Sequence, residues 1–341
     1  MSLSRIGAVV AALWTLTSPA FAQETVVLRF NRWVPPTHHF HTQIMVPWAE
    51  RVAKATNGRV KIEFTPASLG APARQFELAL TGVADIAAGN QAYTPERFIL
   101  SRALELPFLA DNAEALSVAH WRAQERFLSK GDEFKGTKLI TVFNNGPTQI
   151  FTTKKSISAI DDMKGMKIRA PGGVPTEVTK AIGAVPVAAA ITETYEMLSR
   201  GIVDGASLAP DSVRSFNMEK FLDHQTQVPL GLYNSAFFVV MNQAKWDALS
   251  PADQQAIMSV SGENFAAQAG RVWDDQDRVA NAQFAKSGMK IARANSDLTA
   301  ALKQRLGFVE EDWLKAASQK GVDGAQVLKF VRDQVSSYKP Q

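Results

Sequence analysis

The chain has 341 residues, 46% of them hydrophobic, a length that usually exceeds one hydrophobic core and therefore predicts two domains. It contains no cysteine, which excludes disulfides, thiolate metal sites and cysteine nucleophiles. The formal net charge is only +4, and acidic and basic residues are interspersed. Because no basic block could follow a phosphate backbone, nucleic acid is not an expected partner.

The first 22 residues have the pattern of a signal peptide. One positive charge at Arg5 precedes an apolar stretch over residues 6–17, and Ala20 and Ala22 place small side chains where signal peptidase binds. We expect cleavage after Ala22 and export of the mature protein. The alternative is an uncleaved membrane anchor, which needs about 20 apolar residues, more than this stretch offers.

The rest of the chain alternates short apolar runs with helical patterns, which is typical of sheets covered by helices and predicts an α/β fold. In the first half, strands are predicted at residues 26–30, 60–64, 83–87, 139–144 and 149–153, and helices at residues 42–54 and 73–81. Further strands are predicted at residues 166–170, 185–187 and 234–241, and helices at residues 176–182 and 193–200, the latter capped by Thr192.

The carboxyl-terminal third is predicted to be largely helical. A single long helix is expected from Ser250 to about Lys286, because a serine cap and a proline at the first helical position mark its start. Two more helices are predicted at residues 297–319 and 323–337.

Several motifs occur in an order and spacing that is informative as a set. The main one reads Asp-Asp-Met-Lys-Gly-Met-Lys-Ile-Arg-Ala-Pro-Gly over residues 161–172, followed by Glu193-Thr-Tyr195 and Gly201-Ile-Val-Asp-Gly205. Earlier motifs are Leu28-Arg-Phe, Thr56-Asn-Gly-Arg-Val-Lys-Ile62, Leu69-Gly70, Gly82-Val-Ala-Asp-Ile86 and Leu106-Pro-Phe-Leu109. Together they resemble the solute-binding proteins of tripartite ATP-independent periplasmic (TRAP) transporters, a family often named for C4-dicarboxylates, over nearly the whole mature chain.

The resemblance implies a two-lobed periplasmic binding protein fold with a ligand cleft between the lobes and a long helix bracing both. We expect residues 23–146 plus 235–275 in the first lobe and residues 147–234 plus 276–341 in the second. It also implies capture of a small organic acid in the periplasm for TRAP membrane permease subunits, without a cofactor. A monomer is expected.

Arg169 is the main candidate for binding that acid. The predicted strand over residues 166–170 stops at Pro171, so it delivers this arginine to a strand end where a loop opens. A guanidinium matches a carboxylate with two parallel hydrogen bonds and stays charged when partly desolvated. The resemblance places Arg169 on the ligand carboxylate and Gln149 at a second position where some relatives carry arginine. One strong anchor instead of two favours a monocarboxylate.

The other candidates follow from the resemblance, and several could instead have a purely structural role. Trp33 and Asn90 would line the cleft from the first lobe, where they would offer an indole donor and an amide, respectively. Alternatively, Trp33 would be a core residue and Asn90 a turn residue. Three apolar residues would line the second lobe: Ile191, Leu208 and Ala209. Tyr233 and Asn234 would close the cleft where the chain returns from the second lobe to the first, or act as hinge or core residues.

Three histidines, His38, His39 and His41, stand close together after two prolines. A metal site is not expected, because their spacing without nearby paired carboxylates is weak support for one. At most one of them would reach the solute, namely His38 or His39.

No sequence motif pairs a nucleophile with a base, so the protein is not expected to be an enzyme. The preferred ligand is a monocarboxylate with an aliphatic or aromatic body, with or without a hydroxyl or keto group. The alternatives are a C4-dicarboxylate and, from another class, an exported enzyme that processes carboxylates.

Overall fold

The strands and helices build two separate sheets in the computed structural model, which describes residues 25–339. The strands are β1 (Val26–Asn31), β2 (Val60–Phe64), β3 (Ile86–Asn90), β4 (Thr137–Pro147), β5 (Gln149–Thr152), β6 (Lys167–Ala170), β7 (Val185–Ala188), β8 (Gly205–Leu208), β9 (His224–Gln227), β10 (Asn234–Asn242) and β11 (Lys290–Arg293). The helices are α1 (Val46–Ala55), α2 (Gln75–Leu80), α3 (Ala113–Arg126), α4 (Gly173–Ala181), α5 (Ile191–Ser199), α6 (Pro210–Ser215), α7 (Gln243–Asp247), α8 (Pro251–Ser259), α9 (Gly262–Ser287), α10 (Ser296–Gln319) and α11 (Gly324–Ser337).

The predicted signal peptide and its cleavage site lie outside the described residues. Within the part of the chain that the structure describes, no helix has the length and apolar character needed to cross a bilayer.

The two sheets have different strand patterns. The first has the order β2-β1-β3-β10-β4, in which β1, β2 and β3 run parallel and β10 runs antiparallel to both of its neighbours. The second has the order β11-β9-β5-β8-β6-β7, in which β6 runs parallel to β7 and β8 while β5 runs antiparallel to β8 and β9. Because parallel strands need helical crossovers, this arrangement agrees with the predicted α/β class.

The chain passes from one sheet to the other at three places. It leaves the first sheet between β4 and β5, returns between β9 and β10, and enters the second sheet again after α9 to form β11. Helix α9 packs on β4 and α3 on one side and on α6 on the other, so it spans both halves of the molecule. The residue limits of the two lobes remain a prediction.

The predicted long helix from Ser250 to Lys286 is wrong as a single element, because it is two helices, α8 and α9. Ser250 does cap α8, with its hydroxyl accepting from the backbone N–H of Asp253 at 3.1 Å. The helix then stops before Gly262, whose φ of +56° lies in the left-handed region. A Cβ at Gly262 would stand 2.9 Å from the Trp121 ring, so the break lets the chain pass close to α3.

A second correction concerns the cap of α5. This helix begins at Ile191 and its N-cap is Ala190, so Thr192 lies inside the first turn and is not the cap. The side chain of Thr194 instead donates to the carbonyl of Ala190 at 3.3 Å. A threonine near the predicted helix start suggested a cap, but the residue with the extended backbone of an N-cap is Ala190.

Candidate functional site

A narrow cavity lies between the two sheets and draws its walls from both. About 60 Å³ of this cavity is accessible to the centre of a water molecule. The residues around it are Trp33, Val34, His38, Phe40, Asn90, Tyr93, Asn145, Thr148, Arg169, Pro171, Ile191, Ser207, Leu208, Ala209, Asp211, Ser212, Phe216, Tyr233, Ser235, Phe237 and Trp273.

Arg169 lies in this wall at the end of β6, and its side chain is only 3% exposed. One edge of the guanidinium is held by the protein: Nε and Nη2 donate to the carbonyl of Ala189 at 3.0 and 2.6 Å. Nη2 also lies 3.5 Å from the hydroxyl of Tyr93, which accepts from the backbone N–H of Ile191 at 3.0 Å. These contacts fix the plane of the guanidinium.

The other edge of the Arg169 guanidinium is available to a ligand. Within residues 25–339, Nη1 donates no hydrogen bond and no acidic side chain forms an ion pair with Arg169. Buried charges are normally paired, since an isolated one is costly to desolvate. A cationic group in this state is suited to bind an anion that enters the cavity.

Aromatic side chains form much of the remaining wall. The rings of Phe40 and Phe237 both pack on Trp273, with centroids 5.5 and 5.2 Å apart, and Trp33 lies 6.5 Å from Phe40. The indole N–H of Trp33 donates to the carbonyl of Ala88 at 2.8 Å, so it is occupied and the ring offers apolar surface instead of the donor that was expected. Rings in contact at such distances form an apolar wall, called here the aromatic wall, against which another ring can pack.

One corner of the cavity is polar and lies where residues 38–39 meet α6. His38 and His39 are stacked with ring centroids 4.4 Å apart. The Nε2 of His39 lies 3.5 Å from Oδ2 of Asp211, and its Nδ1 lies 3.2 Å from the hydroxyl of Ser215. The backbone N–H of Asp211 donates to Oδ1 of Asp277 on α9 at 2.7 Å.

Burial sets the charge of this corner. It lowers the pKa of His38 to about 3, with a further contribution from the Arg214 cation, and it lowers the pKa of His39 well below its usual value. Burial also raises the pKa of Asp211 to about 7 and that of Asp277 well above the ordinary range. Both imidazoles are therefore neutral at neutral pH.

Three residues of this corner are spaced like metal ligands, but the protonation of His38 does not suit a cation. Ligand atoms of His38, His39 and Asp211 lie within 4.8 Å of one another. However, Nδ1 of His38 accepts a hydrogen bond from the backbone N–H of Phe40 at 3.0 Å, so the proton of the neutral ring lies on Nε2. Neither nitrogen of His38 then has a free lone pair for a cation. The corner is better suited to hydrogen bonding.

The structure brings most of the predicted site residues to the same cavity. Seven of them line it: Arg169, Trp33, Asn90, Ile191, Leu208, Ala209 and Tyr233. Their roles in binding remain predictions.

Three predicted site residues, Gln149, Asn234 and His39, do not line the cavity. Gln149 borders a separate, wider hollow, where its Oε1 accepts from the backbone N–H of Val228 at 2.6 Å. Asn234 is fully buried and donates to the carbonyl of Asn145 at 3.1 Å. His39 packs behind His38 against Trp273.

Several lining residues were missed by sequence reasoning. Tyr93, Asn145, Ser207, Asp211 and Trp273 come from five different segments and share no motif. Asn145 offered a signal, since it stands just before the expected crossover near residue 147. Trp273 offered none, because an aromatic residue on a long helix usually belongs to the core.

Comparisons with known proteins agree on one family. Residues 30–318 match the family described as "Bacterial extracellular solute-binding protein, family 7". A curated relative, "Outer membrane transporter protein TsaT" of Comamonas testosteroni, is 32% identical over 96% of this chain and 97% of its own. The "C4-dicarboxylate-binding periplasmic protein DctP" of Rhodobacter capsulatus is 30% identical over 73% of each chain.

Solved structures of similar proteins have the same fold. A TRAP periplasmic solute-binding protein from Bordetella bronchiseptica, with bound (R)- and (S)-mandelate, is 36% identical with a TM-score of 0.89 over 91% of this chain and 99% of its own. One from Rhodoferax ferrireducens, in complex with copurified benzoate, is 30% identical with a TM-score of 0.86 over 92% and 98%. One from a marine metagenome, in complex with 3-hydroxybenzoate, is 32% identical with a TM-score of 0.86 over 93% and 99%.

Proposed function

The chain belongs to the bacterial extracellular solute-binding proteins that serve TRAP transporters, and from this premise we propose that it captures an aromatic monocarboxylate in the periplasm for a TRAP membrane permease. Two lobes with a cavity between them, as seen in its solved relatives, suit this role. The cleavage of the signal peptide after Ala22 and the monomeric state remain part of the proposal.

The observation that carries the proposal is the buried guanidinium of Arg169, which has no acidic partner among the described residues and shares a cavity with the aromatic wall. Its free Nη1, with part of Nη2, would hold one carboxylate through charge-assisted hydrogen bonds. The body of the ligand would pack against the rings of Trp33, Phe237 and Trp273.

The cavity suits one carboxylate better than two. Among the residues described around it, Arg169 is the only arginine or lysine, and Gln149 faces a different hollow. A second carboxylate would meet neutral His38 and the carboxyl of Asp211. The C4-dicarboxylate alternative is therefore less well supported, although one curated relative carries that name. The mandelate and benzoate seen in relatives at 36% and 30% identity support the aromatic class.

We also propose that ligand binding closes the two lobes. A ligand in this cavity would touch Trp33 and Asn90 from the first sheet side and Ile191 and Leu208 from the second. A ligand that contacts both sides favours the closed arrangement over any open one. The bound acid would be released unchanged, since a solute-binding protein delivers its ligand without reaction.

The test is thermal unfolding of the protein without residues 1–22 against benzoate, mandelate and succinate. A ligand at about 100 times its dissociation constant adds about 2.7 kcal/mol, which raises the midpoint by several degrees. We expect such a shift with benzoate or mandelate and none with succinate. Recovery of unchanged acid after incubation would distinguish binding from turnover.

The matched variants are Arg169→Gln and Arg200→Gln, the latter an arginine with a side chain 73% exposed. Loss of the buried charge pair with the ligand should weaken aromatic acid binding about 100-fold or more in Arg169→Gln. Arg200→Gln should bind like the wild type. An undiminished benzoate shift in Arg169→Gln would show that the anchor lies elsewhere, and a response to succinate alone would overturn the ligand class.

A further inference from the structure

The polar corner of the cavity offers a hydrogen-bond donor that the described part of the protein does not use. Because Nδ1 of His38 accepts from the backbone N–H of Phe40, the ring carries its proton on Nε2. This Nε2 has no hydrogen-bond acceptor among residues 25–339, and His38 lines the cavity. Burial keeps the pKa of the ring at about 3, so the donor is a neutral N–H.

An acceptor lies beside this donor. Oδ2 of Asp211 has no hydrogen-bond partner in the described structure, although the residue is 1% exposed and borders the cavity. Nε2 of His39 lies at the long distance of 3.5 Å from this oxygen, and the side chains of Asp277, Trp273 and Ser212 also approach the Asp211 carboxyl. Buried polar atoms are normally hydrogen-bonded, and leaving one without a partner is costly. A ring nitrogen of His38 lies within 4.8 Å of the Asp211 carboxylate, close enough for one small group to contact both.

We propose that His38 and Asp211 recognise a hydroxyl group, so that the preferred ligand is an aromatic monocarboxylate that carries a hydroxyl. This inference rests on the proposed function, since it names the second polar group of the same ligand. A hydroxyl accepts one hydrogen bond and donates another, as the pair requires. When Asp211 is ionised, which its pKa of about 7 favours above neutral pH, a keto or ether oxygen could accept from His38 but could not donate to the carboxylate. An ammonium could only donate, and a second carboxylate would face Asp211.

The corner is separate from the carboxylate anchor. Arg169 is held by Ala189 and Tyr93, and neither of these residues hydrogen-bonds to His38 or Asp211. The cation that influences the His38 ring is Arg214 on α6. One ligand would therefore use two independent polar contacts, which fix its orientation against the aromatic wall.

The experiment measures dissociation constants by calorimetry for two matched pairs, 3-hydroxybenzoate with benzoate and mandelate with phenylacetate. In the wild type we expect the hydroxylated acid to bind about tenfold tighter or more in at least one pair, because its analogue leaves the buried polar atoms without partners. If both pairs bind equally, the hydroxyl inference is overturned while the proposed function stands. If the folded wild type binds none of the four acids, the proposed function itself fails.

Two substitutions at His38 separate its two nitrogens. In His38→Asn the amide oxygen can replace Nδ1 as the acceptor for Phe40, but the donor to the cavity is lost. In His38→Gln the longer amide can restore a donor near the position of Nε2. We expect the hydroxyl preference to fall below about threefold in His38→Asn and to be largely kept in His38→Gln.

The control is His41→Asn, the same substitution three residues later, where the ring packs on Phe64 outside this cavity. It should leave the ratio of dissociation constants unchanged. Melting curves of each variant establish that it is folded before binding is measured. A hydroxyl preference that persists in folded His38→Asn would refute the role of His38. Tighter binding on addition of Zn²⁺ to the wild type, lost in His38→Asn, would instead identify a metal site and overturn the inference.

Discussion

Arg169 shows how much a single residue depends on its surroundings. Its position at a strand end was predictable from the short apolar run before Pro171. The sequence did not reveal that Ala189 and Tyr93 hold one edge of the guanidinium, or that no described carboxylate neutralises it. Those two facts turn an ordinary arginine into a candidate anion site, because a buried charge without a partner favours a charged ligand.

Glu105 is a second residue whose charge is controlled by burial. It is 1% exposed, and its Oε1 accepts from the backbone N–H of Ala236 at 3.0 Å, next to the cavity residue Ser235. Desolvation raises its pKa from 4.5 to about 7, which Ala236 and the Arg102 cation only partly offset, while Glu177 adds a smaller increase. A carboxyl with a raised pKa in the folded state lowers the free energy of unfolding as the pH rises from about 4.5 to 7.

We therefore predict that Glu105→Gln changes the pH dependence of stability. The amide keeps the acceptor for Ala236 but has no charge to bury. Above pH 7 the variant should be more stable than the wild type by about 3 kcal/mol, and near pH 4.5 the difference should vanish. Denaturant unfolding of both proteins between pH 4.5 and 8 measures this, with exposed Glu193→Gln as the control. A difference that stays constant across this range would contradict it.

At the scale of elements, local patterns predicted most strands and helices, but not the break in the long helical stretch that follows Ser250. Ser250 and the following proline correctly marked the start of α8, whereas the break before Gly262 coincides with a close approach to Trp121 of α3, which is distant in sequence. Helix α3 itself was not predicted. It is buried on nearly all sides between β4, α9 and α11, and its buried residues include the polar Glu114, Ser117 and His120. Its sequence therefore does not separate into the apolar and polar faces by which a helix is recognised.

The contact between α9 and α3 gives a prediction about two glycines in helices. A Cβ on Gly270 in α9 would lie 2.5 Å from the carbonyl oxygen of Ala113 and 2.5 Å from Cα of Glu114, both backbone atoms. Gly307 in α10 is exposed, and a Cβ there would meet nothing within 4 Å. Gly270→Ala should lower the free energy of unfolding by about 1–3 kcal/mol or more, because two helices must move apart.

Gly307→Ala should act in the opposite direction. Alanine loses less backbone entropy than glycine when a helix forms, so a gain of roughly 0.5–1 kcal/mol is expected. Chemical denaturation of both variants and the wild type provides the comparison. Similar effects of the two substitutions would show that the close approach of α9 to α3 does not limit stability.

At the scale of the whole molecule, the two halves touch closely beside the cavity. A Cβ on Gly172, between β6 and α4, would lie 2.2 Å from the carbonyl oxygen of Ala92, which follows β3 of the first sheet. The φ of Gly172 is 164°, an extended conformation that alanine can adopt. A glycine is thus required at this position by the close contact between the halves, and not by the backbone conformation of the residue.

We predict that Gly172→Ala hinders closure while each half stays folded. Benzoate or mandelate should bind at least about tenfold more weakly, since closure would have to displace backbone atoms at a cost above roughly 1.4 kcal/mol. Calorimetry gives the affinity, and small-angle scattering should show a larger radius of gyration for the variant with ligand. Gly307→Ala is the matched control. Wild-type affinity and compactness in Gly172→Ala would argue against closure at this contact.

The α/β class, the family and the strand end that carries Arg169 could be read from the chain, because periodicity, turn residues and spaced motifs are local properties. The cavity could not, since it joins side chains as far apart as His38, Asp211 and Trp273. Packing alone decided that Gln149 faces another hollow, that the indole of Trp33 is already bonded, and that His38 directs a donor inward. Which distant polar atoms meet, and which remain without a partner, depends on the three-dimensional arrangement of the two lobes, and that arrangement determines the chemistry of the ligand.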